Sequence, residues 1–166
     1  KLKIMKRHLL FLAALLIVNL AASAQKKFSV YAVGFYNQEN LFDTCHDEGK
    51  KDYEYLPNKG WNGMKYTNKL RNMSKALADM GTDVLPTVGC AFIGLSEVEN
   101  HKVLDALVDQ APLKARNMKY VHVEGPDRRG IDCALLYNPS LFSVKNVKLL
   151  PYVQELAKDS AFFTRG

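Results

Sequence analysis

Three apolar, strand-like runs that each end on a polar residue constrain this chain most. They are FYNQENLFD around Asn37, GLSEVEN around Glu97, and EGPDRRGIDCALLYNP from Glu124 to Pro139. A run of β-branched and aromatic residues closed by a charge or amide is a buried strand presenting its chemistry at a sheet end. Their order therefore predicts a sheet protein whose site lies where strands stop.

The first residues read as a leader. Lys1, Lys3, Lys6 and Arg7 precede an apolar stretch from Leu9 to Leu20, and Ala22-Ser23-Ala24 supplies a small-x-small cleavage site. The stretch of about a dozen residues is shorter than the roughly 20 a membrane-spanning helix needs. Residues 1–24 are thus expected to be a signal peptide with natural start Met5, and residues 25–166 a single domain without a stable membrane span. The product is expected to be exported, to a periplasm or the extracellular space. The leader holds four of the 23 Lys and Arg and none of the 17 Asp and Glu, so the net charge falls from +6 to +2 without it. A basic-protein argument for a nucleic-acid partner loses its force. Cys45, Cys90 and Cys133 match no zinc spacing, and Cys90 and Cys133, in apolar runs, are expected to be buried.

Phe28 to Tyr36 and Val88 to Leu95 read as buried strands. Between them an acidic stretch from Asp43 to Gly63 reads as a solvated loop without the D-x-D-x-D-G order of a calcium loop. Leu70, Met73, Leu77 and Met80 place a helix over 67–80, with Thr67 as N-cap and Gly81 just past its end. Asn100 caps a second helix with Val103, Leu104, Leu107 and Val108 on one face. Tyr120 to Val123 and Ile131 to Tyr137 are strands joined by a Gly-Pro-Asp-Arg-Arg-Gly turn, and Ser143 to Tyr152 is a weaker strand. The order implies an α/β class with a mixed sheet.

Glu97 is the leading candidate for chemistry. A carboxylate closing an apolar strand binds a cation, acts as acid or base, or pairs with a buried arginine. Glu99, two residues on, falls on the same face of an extended chain, where two carboxylates repel unless a cation or arginine separates them. Asn37 offers a neutral oxygen to a hard cation or holds a turn. Arg128 and Arg129 are suited to bidentate contact with an anion, or one of them pairs with Glu99 or Asp132. His46, His101 and His122 have no evident partner. No G-x-S-x-G, P-loop or H-E-x-x-H pattern occurs.

Taken in order, these segments resemble the N-terminal half of the endonuclease/exonuclease/phosphatase superfamily of DNase I-like, metal-dependent phosphoesterases, particularly its secreted bacterial members. The resemblance covers about Phe28 to Gly166. It implies a four-layer α/β sandwich of mixed sheets with outer helices. It also implies a Mg²⁺ site, with Mn²⁺ or Ca²⁺ as alternatives, to which Asn37 and Glu97 contribute, and a segment from Arg128 to Tyr137 whose arginines grip phosphate. The implied reaction is attack of water on a phosphodiester or phosphomonoester, with nucleic acid, nucleotide or lipid headgroup as substrate. The family's His, D-x-N and S-D-H segments would follow Gly166, so the chain as given is expected to be inactive by itself and to leave an apolar sheet face open. Glu99 stands where many DNA-cleaving relatives carry Lys or Arg, which weighs against duplex DNA. A non-catalytic exported binding protein on the same scaffold is the alternative.

Overall fold

A computed structural model describes residues 28–150. The chain divides into two compact units, Lys1–Val30 and Tyr31–Gly166. The leader 1–24 lies outside the described residues, and the fold below is that of the second unit.

Four strands form one mixed sheet in the order β1-β2-β4-β3: β1 (Ala32–Leu41), β2 (Cys90–Val98), β3 (Lys119–His122) and β4 (Asp132–Tyr137). β1 runs parallel to β2, and β4 is antiparallel to both β2 and β3. Among the described residues three α-helices accompany them: α1 (Gly63–Asp79), α2 (His101–Val108) and α3 (Ala111–Ala115). This α/β architecture is the expected class and is consistent with part of a DNase I-like sandwich.

Alternation along the strands separates the faces. Gly34, Ile93, Leu136 and Tyr120 form one row of the inner face; Tyr36, Leu95, Ala134 and His122 form the next. Against these rows pack Leu70, Leu77 and Ala78 of α1, Val103, Leu104 and Leu107 of α2, and Leu113 of α3, one continuous core. Full burial of each leucine or valine among them contributes about 1.5–3 kcal/mol. The opposite rows, Val33–Phe92–Tyr137 and Phe35–Gly94–Leu135, are open. Val33 and Phe35 are 62% and 67% exposed, while Phe92 is partly covered by Phe142, the ring centroids 5.4 Å apart.

Several boundaries differ from expectation. β1 begins at Ala32 because its ladder with β2 begins with the pair Ala32 and Cys90, and it continues beyond Tyr36 because Leu41 re-pairs with Val98 after a bulge. Helix α1 starts a turn earlier than Thr67. Asn62 is the N-cap, its side chain accepting from the Lys65 amide at 3.1 Å and so satisfying a first-turn donor. Gly81, at φ 73°, follows the helix as anticipated; a Cβ there would come within 3.2 Å of the Cys90 amide nitrogen. Residues 143–150 form no strand, having no ladder partner among the described residues, and 151–152 lie outside them. Cys90 is buried, whereas Cys133 is exposed because its position on β4 falls on the open face.

Candidate functional site

The parallel strands β1 and β2 both break regularity at the end that carries the polar residues. The β1–β2 ladder shifts between Asn37 and Leu41, and the β2–β4 ladder between Ser96 and Val98. Within these bulges Glu39, Asn40 and Glu97 have φ of 50°, 61° and 59°. Left-handed backbone costs a non-glycine residue about 1–2 kcal/mol, and such strain gathers at functional sites. Two contacts hold it. The Glu97 Oε2 accepts the Asn40 amide at 3.1 Å, and Lys69 of α1 donates to the carbonyls of Glu39 and, at 3.2 Å, Asn40. Burial lowers the Lys69 pKa, while Glu39 and Glu97 act in the opposite direction.

The left-handed residue also separates the two carboxylates expected to share a face. With alternation interrupted at Glu97, Glu99 turns inward: it is buried, its Oε2 accepting the Asp43 amide at 2.7 Å and its Oε1 lacking a hydrogen bond. Burial, reinforced by Asp43, Asp47 and Asp52, pushes its pKa up to about 8. Glu99 thereby holds the start of the loop after β1 through the Asp43 amide.

That loop is largely exposed, as expected, but side-chain contacts organise it around the one buried residue, Asp52. Asp52 is 1% exposed, pairs with His46 and accepts the Asp47 amide at 2.7 Å, while Asp47 accepts from the Asn100 side chain at 2.7 Å. Its far end clamps the loop between β3 and β4: the Lys51 amide donates to the Arg128 carbonyl at 2.7 Å, and Lys50 pairs with Glu124 at 2.8 Å. Asp127 in the clamped loop is buried, its Oδ1 accepting the Arg129 amide at 2.7 Å and lying 3.5 Å from Arg129 Nε. At the loop's base His122 and Asp132, both buried side chains, pair at 3.0 Å, and Asp132 also accepts the Gly125 amide at 2.9 Å. Asp132 pairs with His122, and Arg129 lies beside Asp127.

These elements enclose a pocket of about 460 Å³ on the open side of the sheet. Its wall includes Ser96 and Glu97 of β2, His122, Asp127, Arg129 and Asp132, with residues 147–149 on the far side. Of the four expected site residues, Glu97 and Arg129 meet here. Arg128 is not in the wall, and neither is Asn37, whose Oδ1 accepts the Glu39 amide at 2.7 Å as a turn residue does. Asn37 is nevertheless the ladder partner of Ser96, next to Glu97. Sequence reasoning missed Asp127 and the His122–Asp132 pair. The D-x-R spacing was a usable signal for the first, since an Asp commonly accepts the amide two residues on.

The oxygen donors Glu97 and Asn37 are hard ligands of the kind Mg²⁺, Mn²⁺ or Ca²⁺ prefers, and two of them leave coordination positions for water and phosphate. The Asn37 oxygen, with one lone pair on the Glu39 amide, retains another for a cation. A second group among the described residues, His122, Glu124 and Asp132, has ligand atoms within 4.8 Å of one another. There His122 is hydrogen-bonded to Asp132 and Lys50 is paired with Glu124, so each of the three already has a partner within the protein.

A mixed sheet with helices packed on one face, and a pocket lined by Glu97 and Arg129, defines an α/β protein. Comparison with protein families narrows this. The model described as Endonuclease/Exonuclease/phosphatase family matches residues 32–166, and the chain belongs to that family of phosphoesterase-type hydrolases. No curated protein and no solved structure matches the chain. Among the described residues, no helix is long and apolar enough to cross a membrane.

Proposed function

We propose that this protein is an exported, divalent-metal-dependent phosphoester hydrolase. The observation that carries the reading is the meeting of Glu97 and Arg129 in one pocket. Glu97 would hold Mg²⁺, or Mn²⁺ or Ca²⁺, with Asn37 assisting beside it. The bound cation supplies charge stabilisation at the phosphoryl and leaving oxygens. Arg129 offers a planar fork of donors to the non-bridging oxygens, and Arg128 extends the positive charge next to it. The apolar wall from Val121, Val123 and Leu135 limits water around the ester and strengthens those contacts. A small phosphodiester, nucleotide, RNA end or lipid headgroup suits the modest charge better than duplex DNA.

The test is hydrolysis of bis(p-nitrophenyl) phosphate and p-nitrophenyl phosphate by the protein expressed from its full reading frame, with Mg²⁺ and then with excess EDTA. Activity should appear with the metal, vanish with chelation, and fall about 10²-fold or more in Glu97→Gln. Undiminished turnover in EDTA, or in Glu97→Gln, refutes the assignment. Absence of turnover on any phosphoester favours the non-catalytic binding protein instead.

A further inference from the structure

We propose that Asp127 is a positioning residue that presents Arg129 to the scissile phosphate, an inference that rests on the reading of Arg129 above. Three observations converge on it. Asp127 is an acidic side chain at 5% exposure in the middle of a turn, where an unpaired carboxylate would be costly. Its Oδ1 makes two approaches to one residue, taking the Arg129 amide at 2.7 Å and lying 3.5 Å from Arg129 Nε. Arg129 Nε is itself buried without a full hydrogen bond, while the side chain as a whole is 40% exposed and lines the pocket with Glu97.

The geometry explains a division of labour. The carboxylate fixes the backbone of Arg129 through the amide and restrains the inner edge of the guanidinium through charge. Arg129 lines the pocket and its side chain is 40% exposed, so its terminal nitrogens, which Asp127 does not engage, remain for a planar fork to take two phosphoryl oxygens. The surrounding loop cannot easily yield. Lys50 donates to the Asp127 carbonyl at 3.4 Å, the Lys51 amide holds the Arg128 carbonyl, and a Cβ on Gly130 would press within 3.2 Å of the Lys50 stem. Arginine has four side-chain rotors, so restraining it before substrate arrives removes an ordering cost from the binding step.

Asp127→Asn separates charge from fold, because the Asn oxygen still accepts the Arg129 amide and keeps the turn. In the native protein with Mg²⁺, Asp127→Asn should retain the wild-type melting temperature. It should lower kcat/KM on bis(p-nitrophenyl) phosphate about tenfold, and inorganic phosphate should inhibit it correspondingly less well. In an Arg129→Ala background the same substitution should change neither quantity, since a residue acting through Arg129 has nothing left to act on. A tenfold loss that persists in that background means Asp127 merely supports the loop, and overturns the proposal. So does wild-type kinetics for Asp127→Asn when Arg129→Ala is impaired, which leaves the role of Arg129 standing. If Arg129→Ala is itself without effect, or the wild type neither hydrolyses the ester nor binds phosphate, the parent reading fails and takes this one with it.

Discussion

Glu97 occupies a left-handed backbone position, and its stability cost can be separated from its chemistry by comparing two substitutions. Glu97→Ala removes the carboxylate and its hydrogen bond to the Asn40 amide but retains a Cβ at φ 59°. Glu97→Gly removes the same bond and also the Cβ. A hydrogen bond to a charged acceptor contributes about 1.5–3 kcal/mol, and partial exposure here favours the lower end. Relief of the left-handed conformation returns about 1–2 kcal/mol. The extra freedom glycine gives the unfolded chain takes back about 0.4–1 kcal/mol. Glu97→Gly should therefore be more stable than Glu97→Ala by about 0.5–1 kcal/mol, although glycine is the less favourable residue in an ordinary strand. Urea unfolding followed by the fluorescence of Trp61, the chain's one tryptophan, should register a midpoint shift of about 0.3–0.5 M at an m-value near 2 kcal/mol/M. Both variants should lack metal-dependent hydrolysis. Equal midpoints, or Ala above Gly, would refute the claim that this strand end stores strain.

Two further outcomes follow from the same structure. Glu99, raised to about 8 in the folded chain against 4.5 unfolded, keeps a proton that the unfolded chain releases, so stability present below about pH 4.5 is lost as pH rises through 8. Its slope is at most about 1.4 kcal/mol per pH unit. Glu99→Gln should flatten that decline in denaturant midpoints measured from pH 5 to 9, and an unaltered slope would exclude Glu99 as its source. Leu95, 1% exposed in the inner row of the sheet, should destabilise the domain by about 2–5 kcal/mol when cut to Ala, whereas Val33→Ala on the open face should cost under about 1 kcal/mol in the described unit. Comparable losses at both positions, measured by urea unfolding, would contradict the assignment of faces.

The sequence by itself determined the α/β class, the four principal strands, α1 and α2, and the candidacy of Glu97 and Arg129. These depend on local pattern: alternation, helical spacing of Leu70, Met73 and Leu77, a cap at Asn100, and a glycine after α1. Periodicity survives tertiary context because it is what buries one face of an element. What only the tertiary structure decided were relations between segments far apart in the chain. Glu97 and Glu99 are neighbours that alternation would place together, yet a bulge and a positive φ separate them. Contacts among Asp52, His46, Asp47 and Asn100 give a largely exposed loop one buried, hydrogen-bonded anchor at Asp52. Asp127 and Lys50 become the supports of Arg129 because the loop after β1 closes over the loop before β4. Burial of a charge is set by what folds over it, and a linear sequence shows the charge without the cover.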